Sequence, residues 1–188
     1  MLPLDTFTEI KGAINSCALS DNKDIKSISI DTWGVDVGFL DAKGRLIGNP
    51  VHYRDTMTDG IIEKAFEVVP AEKLYDTTGI QFMKFNTLFQ LHAFNLENYQ
   101  PYKNASKMLF MPDLLNYFLT GEMKSEYSIA STSQMLDAEK RDWNYDVLES
   151  FEINKDILCE VVQPGTIIGR LTKELADKLG CPQIPVVA

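Results

Sequence analysis

Apolar positions along the chain recur first at helical spacing and then in alternation. In residues 3–18, Leu4, Phe7, Ile10, Ile14 and Cys17 fall every three or four positions, the spacing of one buried helical face. Asp5 or Thr6 is placed to cap the start of that helix. Residues 19–26 are polar and read as a loop. Ile28 and Ile30 then alternate with Ser27, Ser29 and Asp31, and Val35, Val37 and Phe39 alternate with Asp36, Gly38 and Leu40. That pattern predicts two strands, expected to pair with each other across the short centre 31–36. Residues 41–44 mark a turn, and 45–51 are expected to return as a third strand, completing an antiparallel meander.

Beyond Tyr53 the period changes. Ile61, Ile62, Ala65, Phe66 and Val69 predict a helix that Pro70 stops. A second helix is expected over 71–77, closed by Gly79. A third is expected over 87–96 with Leu88, Leu91 and Phe94 on one face. Residues 108–110 are a short apolar run. Pro112 suits the start of a helix over 113–119 that Gly121 closes. Residues 125–133 are rich in hydroxyls, and 143–151 are again helical. A strand or turn edge at 166–170, a helix over 171–179 ended by Gly180, and an apolar run at 184–188 follow. The order is that of an α/β protein, a mixed sheet interrupted by a helical insertion.

Composition narrows the function classes. The 188 residues carry a net charge of −9 and a pI near 4.7, a balance that disfavours binding to a phosphate backbone. Cys17, Cys159 and Cys181 are odd in number and widely spaced, which fits neither a disulfide framework nor a zinc cluster. A reducing, cytoplasmic setting is the simpler expectation. No apolar run approaches the length of a membrane span.

Two groups of residues stand out chemically. In the centre 31–36, Gly34 allows close approach of backbone or ligand, and Trp33 offers a flat apolar face of the kind that stacks on sugars. Asp31 and Asp36 flank them. The same residues also read as a glycine bulge with a core tryptophan and two strand-end carboxylates. Tyr53, Arg54 and Asp55 form the second group, in which Arg and Asp either fix a loop or present hydroxyl-binding groups. Phe82, Phe85 and Asn86, between two helices, line a pocket or belong to the core. His52 and His92 have no companion ligands, so there is no metal signature. Neither a glycine-rich phosphate loop nor a Ser-His-Asp arrangement is present.

Together these segments resemble the FGGY carbohydrate kinases. The carrying motifs are SIDTWGVDVGFLD (29–41), GNPVHYRDTMT (48–58), TGIQFMKFNTLFQL (78–91), LFMPDLLNYFLTGE (109–122) and SEYSIASTSQMLD (125–137), with PGTIIG (164–169) and IPVVA (184–188) completing the order. The resemblance runs from about Ile28 onward. It implies an actin-like, ribonuclease-H-like ATPase fold and transfer of the ATP γ-phosphoryl group, with Mg²⁺, to a ketose hydroxyl. The TWGVD, YRD and FNTL motifs together point to the 1-hydroxyl of L-rhamnulose, in L-rhamnose breakdown. Fuculose or xylulose as the sugar, and a non-catalytic sugar-responsive module on the same fold, are the rival expectations.

Carried over residue by residue, the resemblance puts Gly34 against the sugar, with Trp33 and Val35 as walls. Tyr53 is then a ring against the substrate, and Phe85 and Asn86 a further wall. Asp31, Asp36, Arg54 and Asp55 shape the site, and none of them is the catalytic base. The family's Asp-x-Gly-x-Ser phosphate motif has no match before Ile28. The catalytic Asp is expected in a His-Asp-Thr-like motif beyond Ala188. Met57 stands where relatives often carry Arg. The resulting expectation is one partial N-terminal domain over 1–188, lacking its first strands and its catalytic Asp. Taken alone it would be inactive, with no ATP or Mg²⁺ bound, and would self-associate through the exposed sheet edge.

Overall fold

The computed structural model of the chain describes residues 3–20 and 24–188. In chain order it contains α1 (Pro3–Leu19), β1 (Ile28–Ser29), β2 (Val37–Leu40), α2 (Ile61–Val68), α3 (Ala71–Thr78), α4 (Thr87–Leu96) and α5 (Gln100–Lys103). Then come β3 (Lys107–Phe110), α6 (Met111–Thr120), β4 (Ser125–Glu126), α7 (Tyr127–Ser131), β5 (Leu136–Asp137), β6 (Asp142–Trp143) and α8 (Tyr145–Ser150). The last elements are β7 (Val161–Val162), β8 (Ile167–Arg170), α9 (Lys173–Leu179) and β9 (Pro185–Val187). Of the loop expected over 19–26, residues 21–23 lie outside the described residues.

The helix ends follow the punctuation of the sequence. Gly79, Gly121 and Gly180 each take a left-handed backbone at a helix C-terminus and return an N–H to the last turn. The helix expected over 171–179 begins two residues later, at Lys173, because Thr172 takes an extended backbone and caps α9 by accepting from Leu175 N. Asp5 and Thr6 do not cap α1, because the helix is already under way at Pro3, whose fixed φ suits a first turn. The buried stripe of α1 is also turned from the one expected. Leu4 and Cys17 are exposed, while Ile14 and Ala18 are buried and Phe7 and Ile10 pack partly beneath them. α1 packs on α6 and α9 along this narrow strip, with Phe7 meeting Phe118 at 5.3 Å between ring centroids.

The first two strands do not pair with each other. β1 runs parallel to β9, with Ile28 opposite Val186, and β9 continues to β8. β2 pairs antiparallel with β3, from Val37↔Phe110 to Leu40↔Lys107. The physical reason lies in burial. All four β2 positions are buried, and a strand covered on both faces needs a partner inside the core, which the polar edge at Ser27–Asp31 does not supply. The 45–51 return is only a bridge, Leu40↔Leu46, plus Ile47 N to Phe39 O at 2.8 Å. Gly48 at φ +73° and Asn49-Pro50 end it there.

Two large apolar clusters result. One gathers β2, β3, α2–α5 and α8; the other gathers α1, β9 and α9 with Leu119 of α6. α6 touches β2, β3, β8 and β9 and joins them. α4 is not amphipathic as expected: every residue from Thr87 to Phe94 is buried, so it is a central rod. Trp143 belongs to β6 and not to the helix after it, and its indole N–H donates to Cys159 O at 2.7 Å.

Candidate functional site

The turn between the two divergent strands is built from the residues that the sequence singled out. Val35 has φ +71°, and Asp36 N donates to Gly34 O at 3.0 Å, forming a γ-turn of the positive-φ kind. A β-branched residue in this region is a genuine outlier that costs about 1–3 kcal/mol. The surroundings hold it. Val35 O accepts from Thr87 Oγ1 at 2.8 Å and from Gln90 Nε2 at 3.2 Å. Asp36 O accepts from Met111 N at 3.2 Å, where β3 passes into α6. Gly34 lies against the loop after α7, since a Cβ there would meet Thr132 Oγ1 at 3.2 Å.

Trp33 and Asp36 form one unit within this turn. The Trp33 indole N–H donates to Asp36 Oδ2 at 2.7 Å. Trp33 remains 38% exposed, whereas Asp36 is buried. Burial pushes the Asp36 carboxyl above its ordinary range, and the Trp33 hydrogen bond and nearby His52 pull less strongly the other way.

The second wall is aromatic. Tyr53 meets Phe85 edge to face at 5.5 Å and lies 4.5 Å from the His52 ring. Arg54 Nε donates to the Tyr53 hydroxyl at 3.1 Å, and its guanidinium carbon sits 5.3 Å from the Tyr53 ring centre. Asp55 serves the loop itself, accepting from Met57 N at 2.9 Å at the head of a short 3₁₀ turn. Lys84 pairs with Asp59 and ties that turn to the segment carrying Phe85. Asn86 is buried, with its amide given to Gln81 O and Gln134 Oε1, both at 2.9 Å.

The structure therefore brings together Trp33, Gly34, Val35 and Asp36, and separately Tyr53, Arg54 and Phe85. Asn86 stands behind Phe85 as a fastening. Asp31 belongs elsewhere. It lines a cavity with Asp113, Asn116, Glu126 and Ser128, beyond the end of β1 and at the start of α6. Asp113 there is 2% exposed. One of its oxygens accepts from Glu126 N at 3.2 Å, and the other has no partner. Burial, far more than the neighbouring Glu126, pushes its carboxyl up to about 8.

Sequence reasoning missed Thr87 and Gln90, the side chains that hold the turn. Both fall inside a helix, and nothing in a single sequence distinguishes a buried polar clamp from a surface polar residue. His92 packs edge to face on Phe151 at 5.2 Å. Among the described residues no group of His, Cys, Asp or Glu is placed to hold a metal ion, and no described helix is long and apolar enough to cross a membrane. The cavity around Asp31, Asp113 and Glu126 is acidic, so these residues do not fit the phosphates of ATP.

Residues 5–188 match the model of the FGGY family of carbohydrate kinases, N-terminal domain. The chain is 42% identical over 164 residues to a rhamnulokinase of Bacteroides thetaiotaomicron, covering 87% of this chain and 34% of that protein. It is 40% identical over 154 residues to one of Oceanobacillus iheyensis, covering 82% and 33%. It thus spans about a third of the length of the curated relatives it matches. The fold is shared with a gluconate kinase from Lactobacillus acidophilus, at a TM-score of 0.90 and 19% identity over 98% of this chain and 38% of that one. It is shared also with a Plasmodium falciparum glycerol kinase solved with ADP, at 0.80 and 18% over 99% of this chain and 39% of that one. The actin-like fold and the sequence agree, and the chain belongs to the FGGY family of carbohydrate kinases, of which it represents the N-terminal domain.

Proposed function

We propose that this chain supplies the sugar-binding wall of a kinase that transfers the γ-phosphoryl group of ATP to the 1-hydroxyl of L-rhamnulose. One observation carries the reading. A strained turn at Gly34–Asp36, with a half-open indole at Trp33, is held rigid by buried donors, as a surface that must meet a ligand in one geometry requires. Gly34, Trp33 and Val35 form the floor of this wall. Tyr53 and Phe85 form its aromatic side, with Asn86 fastening it from behind. Asp36, Arg54 and Asp55 shape it, and Asp31 shapes the neighbouring cavity. The relatives named rhamnulokinase, at 40–42% identity, support L-rhamnulose as the ketose. ATP, Mg²⁺ and the general base are assigned to the whole protein, in which 1–188 forms part of the N-terminal domain. We place the protein in the cytoplasm, consistent with free thiols at Cys17, Cys159 and Cys181.

The test is steady-state phosphorylation by the whole protein with L-rhamnulose, L-fuculose and D-xylulose. The highest kcat/KM is expected for L-rhamnulose. A preference for another ketose overturns the specificity. Saturable sugar binding without turnover overturns the kinase reading in favour of a sugar-responsive module.

A further inference from the structure

Gln90 sits in the first turn of α4, five residues beyond Phe85 of the proposed sugar wall, and is 2% exposed. A glutamine carboxamide carries two N–H donors on one nitrogen. Here that nitrogen faces two backbone carbonyls that belong to different walls. Nε2 donates to Val35 O at 3.2 Å and to Phe85 O at 2.8 Å. It also stands close enough to the Asp36 carboxylate to lower its pKa slightly. Both partners being carbonyl oxygens, the orientation of the amide is settled by chemistry, since the reversed amide would set oxygen against oxygen.

The positions of these partners give the contact its meaning. Val35 O is the carbonyl of the one β-branched residue in the turn that carries positive φ. Phe85 O is the carbonyl of the residue whose ring meets Tyr53. Thr87 Oγ1 adds a second donor to Val35 O alone. Gln90 is therefore the one side chain among these contacts that spans both walls.

We propose that Gln90 is a positioning residue of the ketose site, locking the strained Gly34–Asp36 turn and the Phe85 wall into one register. The inference rests on the proposed sugar site, but the clamp itself is a property of the unliganded fold. No other natural side chain of this size offers two donors from one uncharged nitrogen except asparagine, whose shorter stem does not reach both carbonyls from the same backbone position. Glutamate places acceptors against carbonyl oxygens. Leucine or methionine leaves both carbonyls short of a donor.

Two readouts test the clamp, using Gln90→Met and Gln90→Glu with Thr87→Val as a milder variant that removes one bond to the turn only. The first needs no sugar. Trp33 is exposed and Trp143 is buried, so acrylamide quenching of the accessible emission reports Trp33. Loss of the clamp is expected to raise that quenching in both Gln90 variants, and less in Thr87→Val. Unchanged quenching in folded variants overturns the proposal. The second uses the whole protein. Both Gln90 variants are expected to raise the KM for L-rhamnulose about tenfold, with the KM for ATP unchanged, as for loss of positioning hydrogen bonds. Equal rises in both constants indicate a structural role only and overturn it. If Gln90 variants do not fold, Thr87→Val decides by the same two measurements. If the wild type phosphorylates no ketose, the functional reading fails while the quenching result still decides the clamp.

Discussion

Val35 shows how a single residue carries a cost that the fold repays. At φ +71° a valine is strained, yet its carbonyl accepts two buried hydrogen bonds and its side chain is buried. Its neighbour Gly34 is close to Thr132, so a methyl group there crowds Oγ1 at 3.2 Å. Gly34→Val is accordingly expected to raise the ketose KM by about tenfold or more while leaving the KM for ATP unchanged, because it disturbs the turn against which the sugar is proposed to lie. Asp113 makes a prediction of a different kind. Its carboxyl titrates near 8 in the folded chain, against an ordinary value of 3.8. Between those values the folded state holds a proton that the unfolded state releases. Stability is therefore fully present below about pH 4 as far as this group is concerned, and falls as pH rises through about 8, by an amount on the order of several kcal/mol at most. Asp36, also raised by burial, pushes in the same direction. Thermal melts at pH 5.5 and 8.5 are expected to show a lower Tm at the higher pH, and Asp113→Asn is expected to flatten that slope while preserving the acceptor for Glu126 N. A slope unchanged by the substitution would show that Asp113 is not its source. Trp33 and Gly34 were legible in the sequence as candidates because glycine beside an indole between apolar runs is locally unusual. The strain at Val35 was not, since nothing local distinguishes a valine in a γ-turn from one in a strand.

Elements were read well where the signal is local. The helix over 87–96 matches α4, and Gly79, Gly121 and Gly180 end helices as a left-handed cap requires. Pairing was not legible. Alternation marks a strand but not its partner, and β1 and β2 go to β9 and β3, whose sequences lie far along the chain. Burial all round α4 also escaped notice, because polar Gln90, Thr87 and His92 make its sequence resemble an amphipathic helix. Being the rod beneath both walls, α4 should be intolerant of cavities. Phe89→Ala, at a fully buried position, is expected to cost about 3–5 kcal/mol in chemical denaturation. A loss below about 1 kcal/mol would mean that the helix is less central than its burial indicates. α7 offers a smaller test. Glu126 accepts from Ser128 N and Ile129 N at 2.7 and 2.9 Å, so Glu126→Ala is expected to cost about 1 kcal/mol as a lost cap.

At the scale of the whole molecule, a three-stranded sheet ordered β1-β9-β8 and a helical block share α6 as their common support. β1 lies at the edge of that sheet and has no strand on its outer side among the described residues. Such an edge presents free backbone donors and acceptors, and we propose that it mediates self-association. Sedimentation velocity is expected to show a mass that grows with concentration, and a strictly monomeric profile would count against it. The two walls of the proposed sugar site both rest on α4, one through Val35 and the other through Phe85, and the proposal requires that they bind a ketose together. The most direct measurement is the steady-state KM for L-rhamnulose in the whole protein carrying Tyr53→Ala, compared with Gly34→Val, one substitution on each wall. Both are predicted to raise that KM by about tenfold or more with the KM for ATP unchanged. A KM for L-rhamnulose that neither substitution moves would contradict the assignment of these walls to the sugar.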